Sequence, residues 1–150
     1  MASGPWTWLN KALAKPFDGT VDLDSHAFKC VLLGSAQVLD ATFVGASGNA
    51  QYSDLTAELA TANGYTNGGL ALAGISITSP TASSKSWNAT DLSWTLTGGI
   101  TIKYAAIFDN TLANKDLLCF CDFNPGGAAV VASISPLVIV TSQGILQWHT

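Results

Sequence analysis

The sequence predicts an all-β fold, an antiparallel β-sandwich or jelly-roll-like barrel with a short N-terminal arm or helix. Three observations carry this expectation. Short apolar segments recur between clusters of Gly, Pro and Asn, the rhythm of strands and turns in such folds. Two alternating runs, residues 91–97 and 100–108, are joined by Gly98-Gly99, a hairpin signal. The turn-forming run Asn63-Gly64-Tyr65-Thr66-Asn67-Gly68-Gly69 feeds an alternation whose large apolar side chains shift phase, from Leu70 and Leu72 to Ile75 and Ile77. A slip of that kind at Gly74 is what a bulge or a kinked strand produces.

The elements follow in order. Residues 1–16 form an arm, and residues 17–150 a single β domain. Within the arm, Trp6, Leu9 and Leu13 fall at i, i+3 and i+7 before Pro16, which predicts a short amphipathic helix. Such a helix is too short to stand alone, so it docks on its own domain or on a neighbouring subunit. Residues 27–33 read as a strand ended by Gly34, and 38–44 as a weaker one ended by the turn at 45–49. In 52–62, Leu55, Leu59 and Ala62 fit a helical turn that Ser53 or Asp54 would cap. Leu92, Trp94 and Leu96 share one strand face, as do Ile100, Ile102, Tyr104, Ala106 and Phe108. Residues 117–123 place Leu117, Cys119, Cys121 and Phe123 on one side. A turn at 124–127 then leads to strands at 128–134, 137–141 and 145–149.

Composition narrows the function. Of 150 residues, 48% are hydrophobic and only 11% charged, less than half the usual share of about 25%. So weakly charged a surface favours association, and a homo-oligomer is expected. Six lysines and no arginine face nine aspartates and Glu58, for a net charge of −4. Nucleic-acid binding needs clustered cations, Arg above all, so no nucleic-acid partner is expected, and acidic substrates are disfavoured. No apolar stretch approaches the length of a membrane span, and the first residues lack the pattern of a signal peptide; cytoplasmic synthesis is expected.

No residue set calls for chemistry. Cys119 and Cys121 share a strand face, but their spacing is not that of a zinc site, and with Cys30 they read as small core residues. Asp18, Asp22 and Asp24 do not match the calcium loop of an EF-hand and read as turn formers. His26 follows Asp24-Ser25, yet neighbours on an extended chain point to opposite faces, and no nucleophile elbow is present. The chain is therefore read as a non-enzyme without metal or cofactor. Asn88-Ala89-Thr90 is a formal glycosylation sequon that means little without a signal peptide. Trp94 reads as core. Trp6, Trp8, Leu9, Leu13 and Trp148 are the candidate interface residues, since large apolar side chains anchor subunit contacts.

Several pieces, in order, resemble a widespread group of small structural proteins of tailed bacteriophages. They are Val21-Asp22-Leu23-Asp24-Ser25 with the strand at 28–33, then 52–58 leading to Gly64-Tyr65-Thr66-Asn67-Gly68-Gly69. Trp94 in its alternating strand follows, then Lys103-Tyr104-Ala105-Ala106-Ile107-Phe108-Asp109, Cys121-Asp122-Phe123 and Ile145-Leu146-Gln147-Trp148. The resemblance implies a virion component, made in the host cytoplasm and placed on the head exterior as a homo-oligomer, a trimer above all, that decorates or cements the capsid by bridging copies of the major capsid protein. The alternatives are a tail or head–tail junction protein, or a glycan-binding module using Tyr52, Tyr65 and Trp87. The Trp-rich arm and the low charge lie outside this pattern.

Overall fold

The structure is a computed structural model that describes residues 5–133 and 135–149, with only the backbone of Trp148 and His149. The chain is all-β. The described residues form strands β1 (Trp6–Trp8), β2 (Phe28–Leu33), β3 (Leu70–Ala71), β4 (Ser76–Thr81), β5 (Ser84–Asn88), β6 (Leu92–Trp94), β7 (Ile100–Ile102), β8 (Tyr104–Asp109), β9 (Leu117–Asp122), β10 (Val130–Ala132), β11 (Leu137–Ile139) and β12 (Leu146–His149). A five-stranded sheet runs β1-β9-β8-β2-β3 and a three-stranded sheet β12-β5-β4, with β10-β7 and β11-β6 as two-stranded ribbons. Every pairing between them is antiparallel.

The central strands are apolar on both faces because both faces are covered. All six residues of β8 are buried, as are all of β2 except Lys29. The two larger sheets meet through aromatic rings. Trp87 on β5 sits edge-on against Phe28 of β2, centroids 4.9 Å apart, and against Trp8 of β1 at 5.9 Å. Edge-to-face geometry suits ring quadrupoles, and the Trp87 indole N–H is satisfied by the Leu23 carbonyl at 2.9 Å. Trp94 is core as expected, 3% exposed. Cys30, Cys119 and Cys121 are fully buried beside it in the same apolar cluster.

The arm differs from the sequence expectation. Its helical spacing is a coincidence: Trp6–Trp8 is a strand paired with Cys119–Cys121 of β9, and residues 10–19 are turns. A Trp-Thr-Trp segment favours a pleated, half-buried site, and here each indole donates to the backbone of the C-terminal segment. Trp6 Nε1 reaches the Val140 carbonyl at 3.1 Å, and Trp8 Nε1 the Ile145 carbonyl at 2.9 Å. The arm thus belongs to the same core as the rest of the domain and docks within its own chain.

Two further expectations are corrected. Residues 38–44 form no strand; Asp40 Oδ1 accepts from the Thr42 amide at 2.7 Å and closes a turn instead. Gly98-Gly99 does not close a hairpin between β6 and β7, because both pair with the C-terminal part of the chain. Residues 92–102 run from β6 to β7 through a bend at 97–98. Trp94 faces Leu137 of β11 and Ile100 faces Ala132 of β10. The glycines serve the bend, which Asn63 pins by donating from Nδ2 to the Gly99 carbonyl at 2.9 Å. The phase slip at Gly74 (φ +58°) marks a larger event than a kink: β3 lies in the five-stranded sheet and β4 in the other.

The excursion from 51 to 69 returns to the outer edge of β2. The predicted helical turn is a 3-10 turn at Tyr52–Asp54, where Asp54 accepts from the Gln51 amide at 2.9 Å. Glu58 then gathers the segment. Its Oε2 accepts from the Tyr52 hydroxyl at 2.5 Å, and its Oε1 from the Tyr65 hydroxyl at 2.7 Å and the Gly68 amide at 2.6 Å.

Two predictions follow from the core and from Glu58. Trp8→Ala is expected to lower the unfolding free energy by about 3–5 kcal/mol in a denaturant titration; a loss of only about 0.5 kcal/mol, typical of a surface site, would mean that the arm is separable from the domain. Burial, the hydrogen bond to Glu58 and its charge push the Tyr52 phenol up to about 12, and the same causes raise Tyr65. Unfolded phenols ionise near pH 10, so above that value the unfolded state binds fewer protons and stability falls as pH rises. Tyrosinate absorbance should therefore appear together with unfolding between about pH 10 and 12, and Tyr52→Phe should flatten the pH dependence.

Candidate functional site

The five sequence candidates for an interface are scattered in role. Trp8 and Leu9 are 7% and 1% exposed, so they are core residues unavailable to a partner. Trp6 is half-buried against the C-terminal segment. Leu13 is exposed at 42%. The Trp148 backbone pairs with Lys85 on β5, and its side chain lies outside the described residues. The aromatics considered for sugar stacking fare no better: Trp87 and Tyr65 are buried, and Tyr52 stacks on Phe108 at 4.5 Å.

The surface feature best suited to a partner lies where the arm turns into β2. Phe17 is 71% exposed and Ile77 on β4 is 45% exposed. Together with Pro16, Val21, Leu23 and Leu146 they border an apolar recess of about 310 Å³. Sequence reasoning passed over both residues. The available signal was an aromatic in the turn Pro16-Phe17-Asp18-Gly19, where polar residues are the rule; Ile77 gave none, because an apolar residue in an alternating strand reads as core.

Asp22 and Asp24 give the recess an acidic rim, and Asp18 lies in the adjoining turn. Asp18 Oδ1 accepts from the Thr20 amide at 2.8 Å. Asp22 accepts from the Ser25 hydroxyl at 2.6 Å and from the amides of Asp24 and Ser25 at 2.9 and 3.2 Å. These Asx turns are the role expected of the aspartates. The Thr20 bonds hold Asp18 below the usual carboxylate range, and the Ser25 hydroxyl followed by the two amides does the same for Asp22. Both carboxyls are charged at neutral pH.

An ion pair and a histidine–carboxylate hydrogen bond fasten this region to the main sheet. Lys15 Nζ meets Asp116 Oδ2 at 2.5 Å, and His26 Nδ1 meets Asp109 Oδ2 at 2.5 Å. Asp109 is wholly buried and its Oδ1 also accepts from the Thr111 amide at 2.8 Å. The His–Asp contact resembles half of a catalytic triad, but the Ser25 hydroxyl is committed to Asp22, so the nucleophile–base hydrogen bond that acyl transfer needs is missing from this pair. Among the described residues, no three of His, Cys, Asp and Glu are placed to hold a metal ion. Asn88 of the sequon is 8% exposed, and its amide donates to Thr78 Oγ1 and the Ser86 carbonyl.

Burial in an apolar sheet, with neighbouring thiols, raises Cys30 and Cys119 well above the ordinary thiol range. The thiolate is the reactive form. A colorimetric disulfide reagent at pH 8 should therefore leave all three cysteines untouched in the native chain and titrate three in denaturant. Rapid reaction of even one native thiol would contradict the buried assignment.

Comparison of the chain with protein-family models, with curated proteins and with solved structures gives no match. Its function is therefore argued from its own residues and surface.

Proposed function

We propose that this protein is a non-enzymatic virion structural protein of a tailed bacteriophage, most simply a capsid decoration protein that docks on the major capsid protein through the Phe17–Ile77 recess. The observation that carries the reading is an apolar recess of about 310 Å³ bordered by Pro16, Val21, Leu23, Leu146 and the exposed Ile77. Exposed apolar groups that could have been buried mark contact surfaces more often than scattered surface hydrophobes do. The acidic rim of Asp22 and Asp24 selects the partner's chemistry: an apolar side chain flanked by Lys or Arg, in keeping with charge complementarity at interfaces. The sparse charge of the chain and the ordered resemblance to phage structural proteins support the same reading. A trimer would present three such recesses, and several modest contacts then add through avidity.

The test is co-sedimentation with heads purified without this protein. The wild-type chain should bind in very many copies per head, and Ile77→Asp should weaken binding at least about tenfold, the scale expected for losing one anchor at an interface, with its thermal unfolding unchanged. Binding of Ile77→Asp at wild-type strength would refute the recess as the contact. A copy number matching a single ring would favour the head–tail junction.

A further inference from the structure

We infer that the outer face of the β12-β5-β4 sheet, together with the cleft beside Trp6, is a binding groove for a neutral oligosaccharide. This surface is separate from the Phe17 recess and does not depend on the capsid reading.

The argument begins with strand register. Trp87 points into the core, so its neighbours Ser86 and Asn88 point the other way. Gln147 lies opposite Ser86, which lies opposite Thr78, and Asn88 lies opposite Ser76. The result is a sheet face built of hydroxyls and amides that floors a groove of about 710 Å³, within the size range of small-ligand sites. Its floor is held by its own bonds. Ser86 Oγ donates to Asn88 Oδ1 at 3.0 Å, and Asn88 Nδ2 donates to Thr78 Oγ1 at 2.8 Å. Thr78 itself is exposed and lines the groove, and with its oxygen accepting from Asn88 its hydroxyl can still donate to a ligand.

Gln143 and Gln147 form a wall shared with a second cleft of about 590 Å³ that is lined by Trp6 and Trp8. The indole N–H of Trp6 is taken by the Val140 carbonyl, so what Trp6 adds to the cleft is ring surface. An aromatic surface beside a row of hydroxyls and amides matches the two aspects of a sugar, its C–H face and its hydroxyl edge.

Charge then selects among ligands. Among the described residues that line the two spaces, Asp91 of the first groove is the one charged side chain, and its Oδ1 accepts from the Thr141 and Ser142 amides at 2.9 Å each. An anionic glycan would find no cation, and a basic peptide would find one carboxylate already engaged. An apolar peptide would have to desolvate the hydroxyls without replacing their bonds, which is costly. A neutral, hydroxyl-rich chain meets none of these penalties.

The experiment titrates the intact chain with maltohexaose, cellohexaose and chitohexaose, followed by tryptophan fluorescence and calorimetry. At least one should bind saturably. Gln147→Ala and Gln143→Ala, both at exposed positions, should each weaken that binding by roughly three- to tenfold, the effect of one lost hydrogen bond, without changing thermal unfolding; Phe17→Asp should leave it unaltered. Absence of saturation with all three sugars up to about 10 mM, where even a millimolar site would fill, would overturn the inference. So would binding that both glutamine variants retain at full strength, or saturable binding of a basic peptide in the same groove in place of the sugars.

Discussion

The structure depends on closing the outer edge of β2. This strand lies next to the edge of the five-stranded sheet and its side chains are almost wholly buried, so its unpaired backbone groups cannot turn to water. Strand β3 covers only Lys29 and Cys30. Beyond it the edge is finished by irregular chain. The Leu59 amide donates to the Leu32 carbonyl at 3.0 Å, the Gly34 amide to the Ala57 carbonyl at 2.9 Å, and the Leu32 amide to the Tyr65 hydroxyl at 3.2 Å. An unsatisfied buried amide costs about 1–3 kcal/mol, so this edge must be met. Glu58 makes it possible by drawing Tyr52, Tyr65 and the Gly68 amide onto one carboxylate. The approach is close enough that a Cβ on Gly69 would fall 2.0 Å from the Cys30 carbonyl oxygen, with φ at +66°. Glycine is required there on both counts.

The same economy organises the rest. Segments distant in sequence meet by donating side-chain hydrogens to backbone carbonyls. Trp8 and Trp87 each bury a large ring and satisfy a distant carbonyl at once, and the half-buried Trp6 does the same with part of its ring. The domain therefore folds as one core despite having several small sheets. Its surface divides into regions of different chemistry: an apolar recess with an acidic rim near Phe17, and an uncharged hydroxyl and amide face on the smaller sheet. The first suits a protein contact and the second a polar neutral ligand.

What the sequence made legible were features set by local chemistry. Alternation in 92–102 appears in the structure as buried and exposed residues in turn, the turn aspartates form their Asx bonds, and the cysteines lie in the core. What it concealed depends on partners far along the chain. Gly98-Gly99 looks like a hairpin because nothing local shows that 130–139 supplies the pairing. The arm looks helical because i, i+3, i+7 spacing also arises when a strand runs into a turn. The role of Glu58, the contact of His26 with Asp109 and the exposure of Phe17 had no local signal of comparable strength, since each follows from where other segments come to rest.

The central claim is that Glu58 closes the β2 edge and that the fold requires it. The most direct measurement compares Glu58→Ala with the wild-type chain by denaturant unfolding, together with native-state hydrogen exchange at the Leu32 and Gly68 amides. Losing an acceptor shared by two phenols and an amide is predicted to cost about 3 kcal/mol or more and to raise exchange at both amides ahead of the other β2 amides. An unfolding free energy within about 0.5 kcal/mol of wild type, with protection at Leu32 unchanged, would contradict it.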